Sequence, residues 1–152
     1  MSQLKLQPTT IAQWYALVCE AELHCGHHID ESLENYLVLT LDSYTTQGGL
    51  ASVIIAFDYL AGTQQTNHQS KIILRDVGDQ CLILSGLFPD RAKKKNVSLD
   101  YFINLGKQAY HTLAGHPSHL HINHELFYKL GRSFVDLMEV LQSMREQDAL
   151  KI

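Results

Sequence analysis

The sequence predicts an all-α fold, a compact bundle of five to seven helices forming one domain over residues 1–152. Three observations carry this expectation. Apolar residues recur in steps of three and four along most of the chain, the spacing of one helical face. Only three prolines occur, Pro8, Pro89 and Pro117, so long stretches keep every backbone donor. Serine, threonine, aspartate or glycine stands where those stretches begin or end, as helix caps do. At 45% hydrophobic and 18% charged residues, 152 residues can bury a core without disulfides or metals.

The first helix is expected to start at Thr9 or Thr10 and stop at Gly26, with Ile11, Trp14, Tyr15, Val18 and Ala21 on its inner face. Asp30 can cap the second, whose stripe is Leu33, Tyr36, Leu37, Thr40, Leu41 and Tyr44. Tyr36 to Leu41 is also β-prone, so a short strand is the alternative there. After Gly48-Gly49, Leu50 to Ala61 carries a single charge, Asp58, and reads as a helix from the centre of a bundle. Gly62 to Ser70 reads as a polar loop. The fourth helix runs from Ser70 to Leu87 with Ile73, Val77, Cys81, Leu84 and Phe88 inside, stopped by Pro89. A basic connector, Arg91 to Lys95, leads to Ser98, the cap of a fifth helix facing inward with Phe102, Leu105, Gly106, Ala109 and Leu113. The turn Gly115 to Ser118 precedes the sixth, near His121 to Gln147, where Phe127, Leu130, Phe134, Leu137, Leu141 and Met144 make the clearest stripe. Helices three to six are expected to form the core.

Charge and cysteine content narrow the partners. A net charge of −4 argues against nucleic acid. The charge is uneven: up to residue 60 Lys5 faces Glu20, Glu22, Asp30, Glu31, Glu34, Asp42 and Asp58. The three cysteines, Cys19, Cys25 and Cys81, form no C-x-x-C pair, which suggests free thiols in a reducing compartment. No secretory signal follows Met1, and the most apolar run, Leu50 to Phe57, is too short to span a bilayer. A cytoplasmic chain without a membrane partner is expected, and its apolar helical faces suggest a homo-oligomer.

Arg75, Gly78-Asp79, Ser85-Gly86-Leu87-Phe88 and, beyond a basic connector, Tyr101-Phe102, Gly106 and Ala109-Tyr110 follow one another in order, with a weaker echo at Tyr36-Leu37. This pattern resembles that of a group of bacterial helical proteins carrying R-x-x-G-D, S-G-F/L-F, Y-Y/F, G and A-Y in that order. The resemblance implies a helical fold and no particular chemistry. Read physically, Gly78 and Gly86 sit within or at the end of a helix, where glycine costs about 1 kcal/mol against alanine, tolerable where a neighbour must come near. Arg75 and Asp79, four apart, can pair along one face. If Asp79 is buried it needs a partner, which Arg75, Tyr101 or Tyr110 can supply. Such a cluster serves either as a polar clamp between helices four and five or as the floor of a small-molecule pocket there. Arg75, Asp79, Tyr101 and Tyr110 are therefore the candidate ligand-binding residues.

Histidine is the most unusual feature, with nine in the chain. One cluster is His24-Cys25-Gly26-His27-His28; the other is His116, His119, His121 and His124, followed by Glu125. Imidazole, thiolate and carboxylate suit a transition metal, and His24, His27, His28, His121, His124 and Glu125 are the candidate ligands. No H-E-x-x-H, C-x-x-C or di-iron E-x-x-H motif is present, so surface or capping histidines are the simpler reading. The sequence demands no cofactor; a transition metal or haem is what the histidines would hold. Cys25 between histidines could be an activated thiol, but a packed, inert one is the plainer expectation. No G-x-S-x-G or phosphate loop appears, and the Arg91 to Lys95 run near the capped start of helix five is better read as solvated than as an anion site. The leading expectation is a non-enzymatic binding or interaction module. The competing one is a metal- or haem-dependent enzyme or sensor built on the histidines.

Overall fold

A computed structural model describes residues 9–46, 70–90, 98–115 and 123–146. Over them the chain is helical throughout: α1 (Thr10–Cys25), α2 (Glu31–Thr46), α3 (Ser70–Leu87), α4 (Leu99–Ala114), α5 (His124–Arg132) and α6 (Phe134–Glu146). The expected helix Leu50–Ala61, the glycines at 48 and 49, the polar loop after Gly62, the basic connector Arg91–Lys95 and the histidines at 116, 119 and 121 lie outside the described residues.

The helix ends follow local chemistry. Thr9 accepts the Ala12 amide on its hydroxyl at 3.0 Å and so caps α1. Gly26 stops that helix at φ 79°, a left-handed conformation that glycine adopts without a Cβ clash. Asp30 sits at the start of α2, its carbonyl accepting the Leu33 and Glu34 amides while its carboxylate takes Ser32 and Lys129. Ser98 and Asn123 cap α4 and α5 through the Tyr101 and Leu126 amides. The β-prone stretch Tyr36 to Leu41 is helical, because burying Leu33, Leu37 and Leu41 together requires the three-to-four spacing.

The expectations for the first and last helices are corrected. On α1, Val18 and Ala21 are fully buried and Trp14 packs half-buried against the core, but Ile11 and Tyr15 are 44% and 37% exposed, so the inner face is narrower than expected toward the N-terminus. The last helix is two helices: Ser133 leaves the helical line between α5 and α6, and its amide returns to the Lys129 carbonyl at 2.8 Å. Gly131 beside it approaches the His111 ring so closely that a Cβ would lie 3.0 Å from Nε2. The stripe survives the break, with Phe127, Leu130, Phe134, Leu137, Leu141 and Met144 all buried.

α3 is the central element among the described residues, packing on α4 on one side and α6 on the other; α1 packs on α2 and α6, and α4 on α5. From Val77 to Leu87 every residue of α3 is buried. The one-sided stripe expected for it is therefore too narrow. Close approach is possible because Gly78, Gly86 and Gly106 leave room for Tyr110, Leu141 and Phe134; a Cβ at any of them would fall 2.5 Å from a neighbouring side-chain carbon. Ser85 in this apolar setting satisfies its hydroxyl within its own helix, on the Cys81 carbonyl at 2.7 Å.

Candidate functional site

The polar centre of the molecule is Asp79. Two turns into α3, it is only 7% exposed. Its Oδ1 accepts two hydroxyls at 2.7 Å each, from Tyr36 on α2 and from Tyr110 on α4. One carboxylate oxygen thus ties three helices together. Burial pushes its carboxyl up to about 6, opposed by the two hydroxyl hydrogen bonds and by the nearby Arg75 charge. The same carboxylate and burial raise both tyrosines far above the ordinary phenol range, so both remain donors.

An aromatic packing layer orients the two phenols. Tyr36 meets Phe127 edge-on with centroids 5.9 Å apart, and Tyr110 lies 6.1 Å from both Phe127 and Phe134. Tyr110, with no exposed surface, reaches Asp79 because Gly78 offers no side chain to its ring. Of the three partners the sequence suggested for Asp79, Tyr110 is hydrogen-bonded. Arg75 acts as a nearby charge and stands 3.8 Å from Asp76 Oδ1. Tyr101 belongs elsewhere. It lies nine positions before Tyr110, roughly 13 Å along α4, is 47% exposed, and turns its ring edge to Phe102.

Asp79 forms part of the wall of a cavity of about 310 Å³ between α2 and α3. Tyr36, Leu39, Thr40, Ser43 and Tyr44 line it from α2; Arg75, Asp76 and Asp79 line it from α3. The hollow therefore lies between helices two and four of the sequence reading. The space between four and five, where the sequence left open a polar clamp or a pocket, is packed at Gly78 and Gly106 by rings from α4 and α6. Tyr36, Thr40 and Tyr44 escaped notice because their spacing marks them as part of a buried stripe. Hydroxyls recurring at every fourth position of that stripe were the available signal. Burial and the charges of Asp79 and Asp76 raise Tyr44 well above the ordinary range, and burial raises Asp76. Thr40 gives its hydroxyl to the Tyr36 carbonyl at 2.8 Å.

No protein-family model, curated protein or solved structure matches this chain.

The histidines fall apart as a set. His27 Nε2 lies 2.6 Å from Glu139 Oε1 and Nδ1 lies 3.8 Å from Asp136 Oδ1, so it bridges the α1–α2 turn to α6. These three side chains converge closely enough to hold an ion, on a partly exposed surface. His24 and His28 are exposed and outside that group. His124 opens α5, exposed, and Glu125 next to it pairs with Lys129 at 3.4 Å. Among the described residues, no ion-sized group joins the two histidine clusters. Cys25 is half-buried, its thiol directed to the Glu22 carbonyl at 3.9 Å. Sequence reasoning missed a different convergence on α1 and α2: Cys19, Glu22 and Glu34 bring their ligating atoms within 4.8 Å of one another.

Proposed function

We propose that this chain is a non-enzymatic binding module and that its ligand sits in the cleft between α2 and α3. The observation that supports this reading is a buried carboxylate, Asp79, in the wall of a cavity of about 310 Å³. That size is at the small end of ligand sites, which place a few convergent polar groups in a concave surface. Its charged groups are two acids, Asp76 and Asp79, against one base, Arg75, with two phenol rings alongside. Carboxylates beside aromatic rings suit a small organic cation, held by charge and by the ring faces. Among the described residues of the cleft, Thr40 gives its hydroxyl to a backbone carbonyl and Asp79 holds the Tyr36 phenol in its protonated form, which favours binding over catalysis. Self-association belongs to the same proposal, through exposed apolar side chains away from the cleft lining such as Leu23 and Ile72.

The test is calorimetry of the full chain against a panel of small primary and quaternary amines. Saturable one-to-one binding is expected, weakened more than about tenfold in Asp76→Asn and in Tyr44→Phe, whose loss removes one charge or one hydroxyl from the wall. Absence of heat with every amine, and no rise in melting temperature, would discard the reading. A strict monomer in sedimentation at high concentration would remove the self-association.

A further inference from the structure

Cys19 and Glu22 are three positions apart on α1 and share a face; Glu34 faces them from α2. The turn at Gly26 folds the chain back so that the Ile29 amide donates to Glu22 Oε1 at 3.0 Å. Tyr15 donates its hydroxyl to Glu34 Oε1 at 3.3 Å. Both carboxylates are thus oriented from outside by donors, as the ligands of metal sites are. Glu22 itself is 6% exposed; its other oxygen, Oε2, is buried without a donor, and its carboxyl meets that of Glu34, so the two acids need a proton or a cation between them. Burial and the neighbouring Glu34 push the Glu22 carboxyl up to about 7, and burial with the two glutamates raises the Cys19 thiol.

We infer that Cys19, Glu22 and Glu34 form a site for one divalent transition-metal ion of the zinc class. The thiolate selects against magnesium and calcium, which take oxygen ligands, and favours a borderline ion. Tetrahedral bonds of about 2.0 to 2.3 Å put ligand atoms roughly 3.3 to 3.8 Å apart. The observed convergence within 4.8 Å closes to that by side-chain rotation, since Cys19 and Glu34 are only partly buried. Three protein ligands leave a fourth position for water. Ligation takes the thiolate and the carboxylates, so binding releases protons and affinity rises with pH. This site uses none of the histidines and is independent of the cleft between α2 and α3.

The probe is cobalt(II), added to untagged, chelator-cleared full-length chain and then displaced by zinc. One equivalent is expected to produce the near-ultraviolet absorption of a cobalt–thiolate bond, and zinc is expected to abolish it. Cys19→Ser should remove the band, Glu34→Gln should weaken binding more than about tenfold, and Cys25→Ser should leave both unchanged. Helical circular dichroism checks each variant, and Glu34→Gln, at a half-buried position, decides the matter if Cys19→Ser does not fold. Absence of the band in the native chain overturns the proposal. So does a band that survives Cys19→Ser, or binding that withstands Glu34→Gln and disappears in His27→Ala, which would put the ion between His27, Asp136 and Glu139.

Discussion

Asp79 shows how one side chain can carry more than one helix contact. Its Oδ1 satisfies two buried phenols at once, so removing it orphans both. Asp79→Ala is expected to cost about 2–4 kcal/mol, the desolvation of two hydroxyls left without an acceptor. Asp79→Asn keeps an acceptor oxygen in the same place and is expected to cost less than about 1.5 kcal/mol. Tyr36→Phe removes one of the two donors and should fall between them. Urea unfolding of the three variants measures the ranking; an Asp79→Ala protein as stable as the native chain would contradict the clamp. The sequence announced Asp79 through its place after Gly78 and four positions beyond Arg75, and named Tyr110 among its partners. It could not announce Tyr36, 43 positions earlier, because a tyrosine within a helical stripe looks the same whether its hydroxyl meets water or a carboxylate.

The helices themselves were legible where capping and periodicity agree. Ser70–Leu87 and the cap at Ser98 stand where the spacing put them, and Gly26 ends α1 as expected. The break at Ser133 was not legible, since an apolar stripe in steps of three and four runs through it unchanged. The glycines make the sharpest test at this scale. Gly78→Ala places a Cβ 2.5 Å from the buried Tyr110 ring, which cannot retreat without losing its bond to Asp79. A loss of about 2–3 kcal/mol is expected despite alanine's better helix propensity. Gly26→Ala meets nothing within 4 Å and should cost about 1 kcal/mol, from the left-handed backbone alone. Thermal denaturation of the pair distinguishes steric from conformational cost; equal losses would show that the Tyr110 contact is soft.

Two buried acids give the whole molecule an unusual pH response. Asp79 and Glu22 hold their protons up to about pH 6 and 7, whereas unfolded carboxyls release theirs near 4. Between those values the folded chain binds more protons than the unfolded one, so stability falls as pH rises. Their contribution is complete below about pH 4 and is lost as pH climbs through 6 and 7. For Asp79 the loss is on the order of 3 kcal/mol. Unfolding free energies measured from pH 4.5 to 7.5, roughly that titration window, in the presence of a chelator should decline. Asp79→Asn should remove the step near 6 and Glu22→Gln the later one. A flat or rising curve in the native chain would contradict the burial of both groups.

What the sequence by itself determined is the helical class, several helix ends and the buried stripe from Phe127 to Met144, because capping and apolar periodicity act between residues a few positions apart. What only the tertiary structure decided is where hollow and filled space lie. α4 and α6 close over the glycines of α3, while α2 leaves a cleft beside Asp76 and Asp79. Which side chains meet across helices depends on the rotation and depth at which those helices pack. Those are set by the sum of many side-chain volumes, and no local spacing encodes that sum.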